Sequence, residues 1–429
     1  MTIVRWTGVE SLALRDAMNL SVRDFADKLG VQARSVSLWE RAGSDARISP
    51  ACRRFLDTLE QQVDARTRAR FEQLRGSTIQ PEPNSEDDDV NRRELIRLLA
   101  TVTAGLPALM ATLDGDELDR VAGVAESPGR VDAATIANVE AILRAAMLQD
   151  DAVGARAVLD TVIAQRNLVR GFLPECPAVL RPRVLSLYGA LTAFAGCLFA
   201  DGRDLRRAAT CYERAREAAH QAENTDLGTY ILCHQAQLAH WRHIGRAGVD
   251  HAVAAQHWVR ECSDGQLVAY TSERAALAYA SVGRRVECIT ALSFAADTLA
   301  DVVPDSDSLA YFAGEGVHLS IEAECHLALG DYAAAVDVSS RSLDLIDTAV
   351  APRDAAFTLL DLARGYAGLR QIDDAARAVS ESAELADRNR SPRLRAAILD
   401  ARAELAPWAS TRAVADLDQQ LDARGLVTV

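Results

Sequence analysis

A helical unit that recurs along the chain limits the architectures this sequence can adopt. In residues 318–336, a helical pattern containing the small residue Ala323 is followed by a turn at Gly330 and by a second helix whose packing face starts at Ala335. Looser copies place turns near positions 203, 245, 283, 330 and 370, so successive turns differ by 42, 38, 47 and 40 in sequence number. One such unit cannot bury its apolar face alone, so neighbouring units are expected to stack.

The composition favours an almost entirely helical chain. Hydrophobic residues make up 49% of the 429 residues, whereas aromatic residues make up only 5%. The apolar fraction is carried by Ala, Leu and Val, and both Ala and Leu are strong helix formers. Alternating runs of β-branched residues, which strands need, are scarce. We expect a helical pair around residues 141–169 to begin the array and residues 394–421 to cap it.

The unit at 318–336 resembles a tetratricopeptide repeat, although the spacings exceed the usual ~34 residues and imply longer helices or loops. The resemblance implies an α-solenoid with a concave surface that suits peptides or protein segments. The candidate ligand-binding residues lie on first helices of repeats and are Tyr230, His234, Gln237, Trp241, Arg274 and Glu324. For any one of them, a position on an outer face, or in the core for Trp241, is the alternative.

Charge divides the chain into two parts. The formal net charge of −14 argues against nucleic-acid binding if it is uniform, because the DNA backbone is also negative. Residues 1–75, however, carry 13 basic and 10 acidic residues, a net charge of +3, so the rest of the chain has a net charge of −17. The segment at residues 76–90, where the second part begins, contains two prolines and an acidic run, as solvated linkers do. We predict one domain over 1–75, a linker over 76–90 and a second domain over 91–429.

Residues 21–41 have the pattern of two short helices joined by a tight turn. Ser21 can cap the first helix, and Gly30 ends it where a left-handed residue is easiest. The apolar face of this helix consists of Val22, Phe25, Ala26 and Leu29. A second helix starts at Arg34 and carries Val36 and Trp39 on one side. This is the arrangement of a DNA-reading helix-turn-helix.

These residues resemble the phage-repressor-like helix-turn-helix family, also called the xenobiotic-response-element family. The shared hallmarks are the small Ala26, the turn residue Gly30, and Trp39 and Glu40 followed by Gly43. The resemblance covers roughly residues 9–62. It implies that a recognition helix begins near Gln32 and enters the major groove of double-stranded operator DNA.

The resemblance also implies a set of DNA contacts, made by Ser21, Arg23, Gln32, Ala33, Arg34, Ser35, Ser37, Leu38, Arg41 and Arg47. Arg34 is the expected base reader, because a guanidinium can bond to both O6 and N7 of guanine. Ser21 is expected to meet a phosphate at a helix N-terminus. The other arginines are expected to neutralise phosphates, with a solvated surface charge as the alternative for each. Trp39 is expected in the core, and Glu40 is expected to hold local structure.

A further helix is predicted to begin at Ser49, its cap, with Pro50 in its first turn. Its apolar stripe consists of Phe55, Leu56, Leu59 and Val63 and can continue towards Phe71. The first part of this stripe is expected to close the DNA-binding core, and the rest is expected to pack against a second copy of the chain. Because many proteins of this kind read paired half-sites, we predict a homodimer.

No pattern in the chain indicates catalytic chemistry. The eight cysteines contain no CxxC pair and are expected to be small buried residues in a reducing cytoplasm. There is no phosphate-binding glycine loop, HExxH motif or nucleophile elbow. We therefore expect no enzymatic activity, no metal and no cofactor. With no run of 18 apolar residues and no signal peptide, we also expect a cytoplasmic protein that does not enter membranes.

The predicted fold is all-α, with an N-terminal helix-turn-helix domain joined to an α-solenoid of tetratricopeptide-like helix pairs. This arrangement resembles that of bacterial transcriptional regulators, including cytoplasmic receptors for short signalling peptides. It implies a DNA-binding regulator whose repeat domain dimerises and senses a signal, either a peptide or a small molecule. One alternative is a protein-interaction scaffold with constitutive DNA binding. A second alternative is an enzyme without a recognised motif.

Overall fold

The computed structural model describes residues 6–18, 20, 22–42, 46, 48–63, 67–68, 71 and 131–426. The chain divides into two compact units, Met1–Asn91 and Arg92–Val429. The regular structure of the described residues is helical throughout, without a strand, which confirms the all-α prediction. The boundaries predicted at residues 75 and 90 lie outside the described residues.

In the part of the N-terminal unit with defined helix bounds, four helices follow one another, α1 (Gly8–Ala17), α2 (Val22–Leu29), α3 (Ala33–Ala42) and α4 (Pro50–Gln62). Their shared core is built from fully buried apolar side chains, among them Leu14, Phe25, Val36 and Leu56. This core explains the helical spacing of the apolar residues, because each helix turns one stripe inward.

Local signals fix the ends of two of these helices. Gly30 has φ +66° after α2, and the amide of Val31 donates to the Ala26 carbonyl at 3.0 Å. These features define a left-handed helix end, which glycine adopts without strain. The side chain of Ser49 accepts from the Cys52 amide at 3.3 Å, and Pro50 occupies the first turn of α4. The predicted start of α4 is confirmed.

The second unit is an α-solenoid of tetratricopeptide-like helix pairs. Five antiparallel pairs follow two leading helices and precede two closing helices. In chain order the helices are α5 (Ala133–Val153), α6 (Leu159–Phe172), α7 (Arg181–Asp201), α8 (Leu205–Gln221), α9 (Thr225–Trp241), α10 (Gly245–Trp258), α11 (Gly265–Ser281), α12 (Arg285–Asp301), α13 (Glu315–Ala328), α14 (Tyr332–Leu345), α15 (Pro352–Gly368), α16 (Ile372–Ala386), α17 (Pro392–Glu404) and α18 (Arg412–Ala423).

Each of the five pairs is closed by the same backbone turn. A residue with positive φ follows the first helix, and the next amide donates to the carbonyl five residues earlier. Asp204 does so to Phe199 at 2.8 Å, and Asp331 to His326 at 2.8 Å. This hydrogen bond and the left-handed residue together form a Schellman helix end. The left-handed residues are Arg203, His243, Gly283, Gly330 and Arg370.

The turn predicted near Gly245 lies two residues earlier. His243 has φ 56°, and the Ile244 amide donates to the Ala239 carbonyl at 2.9 Å, whereas Gly245 begins α10. With the turn at His243, three of the four steps between successive turns are 40 residues, and only the step from Gly283 to Gly330 is longer, at 47. The glycine was misleading because a histidine occupies the left-handed position, which side chains with a Cβ seldom adopt.

The longer step from Gly283 to Gly330 reflects the loop at 302–314 between α12 and α13. The amide nitrogen of Gln266 donates to the Tyr311 carbonyl at 3.2 Å, and its oxygen accepts from the Asp305 amide at 2.6 Å. The Tyr311 hydroxyl donates to the carboxylate of Asp151 on α5. The loop is thereby fixed to the start of the array.

The first helices of the five pairs and the closing helix α17 together form a closed ring. Helices α7, α9, α11, α13, α15 and α17 pack in succession, and α17 also packs against α7. At this junction the Ser391 hydroxyl donates to Asp201 Oδ1 at 2.6 Å. The side-chain amide of Asn389 donates to the carbonyls of Asp150 and Asp151, at 3.1 and 2.9 Å. Because the ends meet, the inner surface is more enclosed than the open concave face that the sequence predicts.

Helix α7 is the one described helix that is long and apolar enough to cross a membrane, judged by length and composition. Within this structure 72% of its apolar window is buried by neighbouring helices. Its apolar character is therefore accounted for by its place in the ring. All eight cysteines lie among the described residues, and none of them forms a disulfide; four of them are buried.

Candidate functional site

The inner face of the helix ring lines a cavity of about 670 Å³, here called the ring cavity. Its walls come from α5 and α8, from the first helices of the five pairs, from α17 and from the 302–314 loop. Small-molecule sites in proteins have volumes of about 300–1,000 Å³ and combine apolar walls with a few polar groups. The ring cavity falls in this range and has this mixed character.

All six predicted ligand-binding residues line the ring cavity. They are Tyr230, His234, Gln237 and Trp241 on α9, Arg274 on α11 and Glu324 on α13. The four on α9 are spaced by four, three and four residues, so they lie on one face of the helix. That spacing is the sequence signal that placed them together. Their contact with a ligand stays a prediction.

His234 is at the centre of an aromatic cluster. Its ring stacks on Tyr212 with centroids 5.6 Å apart and meets Tyr230 edge-on at 4.4 Å. Tyr270 lies 6.0 Å from it and packs edge-on against Phe312 at 5.1 Å. Burial lowers the pKa of His234 to about 3, so the imidazole is neutral at physiological pH. The cluster therefore presents apolar ring surface to the ring cavity.

Arg274 brings a buried positive charge to this aromatic surface. Its side chain is 5% exposed, and its guanidinium lies 5.1 Å from the centre of the Tyr270 ring. Its Nε is buried and has no hydrogen-bond partner among the described residues. Buried charged groups are normally paired, so an unpartnered guanidinium in a cavity is available to a ligand.

Arg393, on α17, was not predicted from the sequence. Its guanidinium lies between two rings, 4.0 Å from the centre of Phe357 and 4.7 Å from that of Trp241. Its Nε is 3.6 Å from Asp201 Oδ1. Cation–π contacts of this kind stabilise a desolvated guanidinium. Trp241 therefore packs against a charged group at the wall of the ring cavity.

A second unpredicted group centres on Arg353 of α15. Its two terminal nitrogens donate to Asp150 at 2.9 Å and to Asp151 at 3.0 Å, and Asp201 is 4.0 Å away. Burial raises the pKa of Asp151 to about 6, although the charge of Arg353 opposes the shift. We call Arg353, Asp150, Asp151 and Asp201 the closure cluster, because it joins the beginning of the array to its end. No local sequence pattern links residues so far apart.

Glu324 belongs to a further polar group in the ring cavity. Its carboxylate lies 3.2 Å from His240, while Arg364 bonds to Asp361 at 3.4 Å and to Glu404 at 3.2 Å. Burial and the nearby charge of Glu324 raise the pKa of Asp361 to about 8. In the part of the chain that the structure describes, no group of three His, Cys, Asp or Glu side chains is arranged to hold a metal ion.

The predicted DNA contacts in the N-terminal unit fall into three groups. Arg23, Gln32, Arg34 and Leu38 are exposed, and Ser35 and Ser37 are half-buried. Ser21 and Arg47 lie outside the described residues, as do the side chains of Ala33 and Arg41. Arg34 and Leu38 are four residues apart on α3 and so share one exposed face of that helix.

Helix α3 is tied to the rest of its unit behind this exposed face. Arg15 Nε donates to Glu40 Oε1 at 2.7 Å, and another nitrogen of Arg15 donates to the Leu20 carbonyl at 2.9 Å. Trp39 is half-buried against the core. Glu40 and Trp39 therefore have the structural roles that the sequence predicts for them.

Comparison with known proteins finds similarity to solved structures only. No family model matches the chain, and no curated protein matches it in sequence. One similar solved structure is NprR in complex with its cognate peptide NprX, at 15% identity and a TM-score of 0.43, covering 77% of this chain and 89% of that one. Another is a signal-transduction ATPase with numerous domains and a tetratricopeptide repeat sensor from Pyrococcus horikoshii, at 11% identity, TM-score 0.39, and 96% and 72% coverage.

Yeast Tom70 is also similar, at 13% identity and a TM-score of 0.33, with 96% of this chain and 85% of that chain covered. All three TM-scores lie below 0.5.

Proposed function

We propose that this chain is a sequence-specific DNA-binding transcriptional regulator of the xenobiotic-response-element type. The observation that carries the proposal is the exposed face of α3, with Arg34 and Leu38 and with the exposed Gln32 just before the helix, opposite a side held by a buried core. The short α2, the left-handed Gly30 and α3 have the order of a helix-turn-helix. In such motifs the second helix enters the major groove and reads base edges.

Arg34 is the proposed base reader, and the charge balance supports a local DNA contact. Positions 1–75 carry three more basic than acidic residues, whereas the rest of the chain is strongly acidic. Phosphate attraction is therefore confined to the N-terminal unit, and more of the affinity must come from base contacts. Homodimerisation, which pairs two such helices on two half-sites, belongs to the same proposal.

The ring cavity is the proposed effector site of this regulator. Binding of an effector there is expected to make the protein either release DNA or bind it. An effector changes DNA affinity only by the difference between its affinities for the DNA-binding and DNA-free forms. A ring assembled from successive helix pairs suits this role, because a molecule inside it contacts several first helices at once. A scaffold with constitutive DNA binding requires no such dependence.

A gel shift with the full-length chain tests the DNA-binding part. Operator fragments are first selected from upstream genomic DNA by the wild-type protein, and binding of the Arg34→Ala variant is then measured across a salt series. Losing a bidentate guanine contact is expected to cost about 1–3 kcal/mol and to relax base preference at one position. The matched control is Arg54→Ala, which removes an exposed arginine on α4.

Two results would contradict the proposal. One is equal binding by wild type and Arg34→Ala to every selected fragment, which would remove Arg34 as a base reader. The other is the absence of selective binding to any fragment, which would remove the regulator itself. DNA binding that does not respond to any molecule bound in the ring cavity would favour the constitutive scaffold.

A further inference from the structure

Arg274 differs from the other arginines that line the ring cavity on the first helices. Arg353 bonds to two aspartates, Arg364 to Asp361 and Glu404, and Arg393 lies near Asp201. Arg274 has no hydrogen bond or ion pair with any residue that the structure describes. Buried charged groups are normally hydrogen-bonded, so the unused donors of Arg274 in a cavity point to an external acceptor.

The acidic groups nearest Arg274 already have other partners. Glu324 is 3.2 Å from His240, and the fully buried Glu273 is 3.1 Å from His318 Nδ1. Both carboxylates act on Arg274 electrostatically, but neither forms a hydrogen bond with it. The directional donor capacity of Arg274 is therefore unused, and guanidinium donors match planar carboxylates and phosphates.

Apolar ring surface lies beside this donor. Tyr270 is directly under the guanidinium, Tyr230 lies 6.2 Å from Tyr270 between centroids, and Phe312 packs edge-on against Tyr270 at 5.1 Å. We call Tyr230, Tyr270 and Phe312 the aromatic wall. A ligand that bonds to Arg274 must place the rest of its body against this wall or against the polar side of the ring.

We propose that the ring cavity binds a small organic anion, whose carboxylate or phosphate group bonds to Arg274 and whose apolar body packs against the aromatic wall. The inference rests on the proposed effector role of the ring cavity and names the chemical class of that effector. A small molecule suits the volume of about 670 Å³, which lies within the range of small-molecule sites.

The role of Arg274 also makes a prediction about the empty protein. Replacing the guanidinium with methionine removes a buried group that makes no hydrogen bond, although Glu324 and Glu273 attract its charge. The Arg274→Met variant is therefore expected to lose less stability in urea unfolding than a variant that breaks a hydrogen-bonded buried ion pair, such as Arg353→Met. A loss as large as that of Arg353→Met would indicate a structural role for Arg274.

Isothermal titration calorimetry of the full chain tests the proposal with four probes that share a phenyl ring. Phenylacetate and phenyl phosphate are anions, 2-phenylethylamine is a cation and 2-phenylethanol is neutral. We expect wild type to bind one or both anions at least tenfold more tightly than the cation and the alcohol. The tighter of the two anions identifies carboxylate or phosphate as the recognised group. Arg274→Met is expected to lose this preference, and Arg274→Lys to keep part of it.

The matched control is Arg341→Met, the same substitution at an exposed arginine of α14, which should bind the probes as wild type does. The proposal is overturned if wild type binds neither anion at millimolar concentrations, if it binds the alcohol or the amine as tightly, or if Arg274→Met keeps the anion preference. These results are independent of the gel shift. A failure of DNA binding leaves the anion site standing, and a failure of anion binding leaves the DNA-binding proposal standing.

Discussion

Replacing Arg353 with methionine tests whether the closure cluster holds the ring together. Arg353 is 13% exposed, and its partners Asp150 and Asp201 are 7% and 6% exposed. In the variant, Asp150 and Asp151 lose the one hydrogen-bonded cation that they have among the described residues, while Asp201 keeps Ser391 and Arg393 nearby. Removing one partner of a buried ion pair typically costs about 3–5 kcal/mol. We expect Arg353→Met to lower the free energy of unfolding by about that amount at pH 7.

The pH dependence of this loss follows from the direction of the carboxylate shifts. Burial already raises the pKa of Asp151 to about 6 and raises that of Asp150, while Arg353 opposes both shifts. Without Arg353 the two pKa values rise further, so the variant's folded state takes up protons more readily than the unfolded chain. Protonation removes the uncompensated charge. The difference between variant and wild type should therefore shrink as the pH falls from 7 to 5.

Urea unfolding followed by circular dichroism at pH 7 and pH 5 measures this difference, and small-angle scattering measures whether the ring opens. The control is Arg341→Met, which removes an exposed ion pair between Arg341 and Asp337 at 3.7 Å. Because surface ion pairs contribute little to stability, this variant should lose no more than about 1 kcal/mol of unfolding free energy. A loss for Arg353→Met that is no larger than the loss for this control, or an equal loss at both pH values, would refute the reasoning.

Three further predictions concern the same unit. Gly196→Ala places a Cβ 2.6 Å from a ring carbon of the buried Tyr212, so we expect overpacking to cost about 1–3 kcal/mol; an unchanged thermal midpoint would contradict this. His318→Ala leaves the fully buried Glu273 without its partner at 3.1 Å and should lower the free energy of unfolding in urea by about 3 kcal/mol. Adding Glu273→Gln should restore part of that stability, and a double variant as unstable as His318→Ala would count against the pair. Asp151 should stabilise the folded state less as the pH rises from about 4 to 6, because burial gives folded Asp151 the higher pKa; relative to Asp151→Asn, the wild-type unfolding free energy should fall by up to ~3 kcal/mol over that range, and parallel pH profiles would exclude this.

Parts of the candidate sites could be predicted because their signals lie within one helix. The spacing of Tyr230, His234, Gln237 and Trp241 places them on one face of α9, and that face lines the ring cavity. The same holds for the apolar core of α2, α3 and α4 and for the cap at Ser49. In each case the pattern and the structure are connected by helix geometry alone.

Four of the five turn positions could be predicted from the sequence, and the error at the fifth has a physical cause. Glycine marks the left-handed residue correctly at 283 and 330, but Arg203, His243 and Arg370 occupy the same conformation. A rule based on glycine therefore shifted one turn to Gly245. The regular recurrence of the turns was a better guide than residue type, because every turn is held by the same backbone hydrogen bond.

The closure cluster could not be predicted from the sequence, because its members come from α5, α7 and α15 and meet only when the array has turned through a full ring. Whether they meet depends on small rotations between successive pairs, which accumulate along a solenoid, and on the 302–314 loop that bonds to Asp151 through Tyr311. The same closure brings the walls of the ring cavity together. The proposed effector that bonds to Arg274 would contact α11, and the aromatic wall connects α11 to the closure cluster through Phe312, Tyr311 and Asp151. A change in the spacing of these helices would therefore act on the bonds of Arg353, which gives the proposed effector a physical route to the repeat unit.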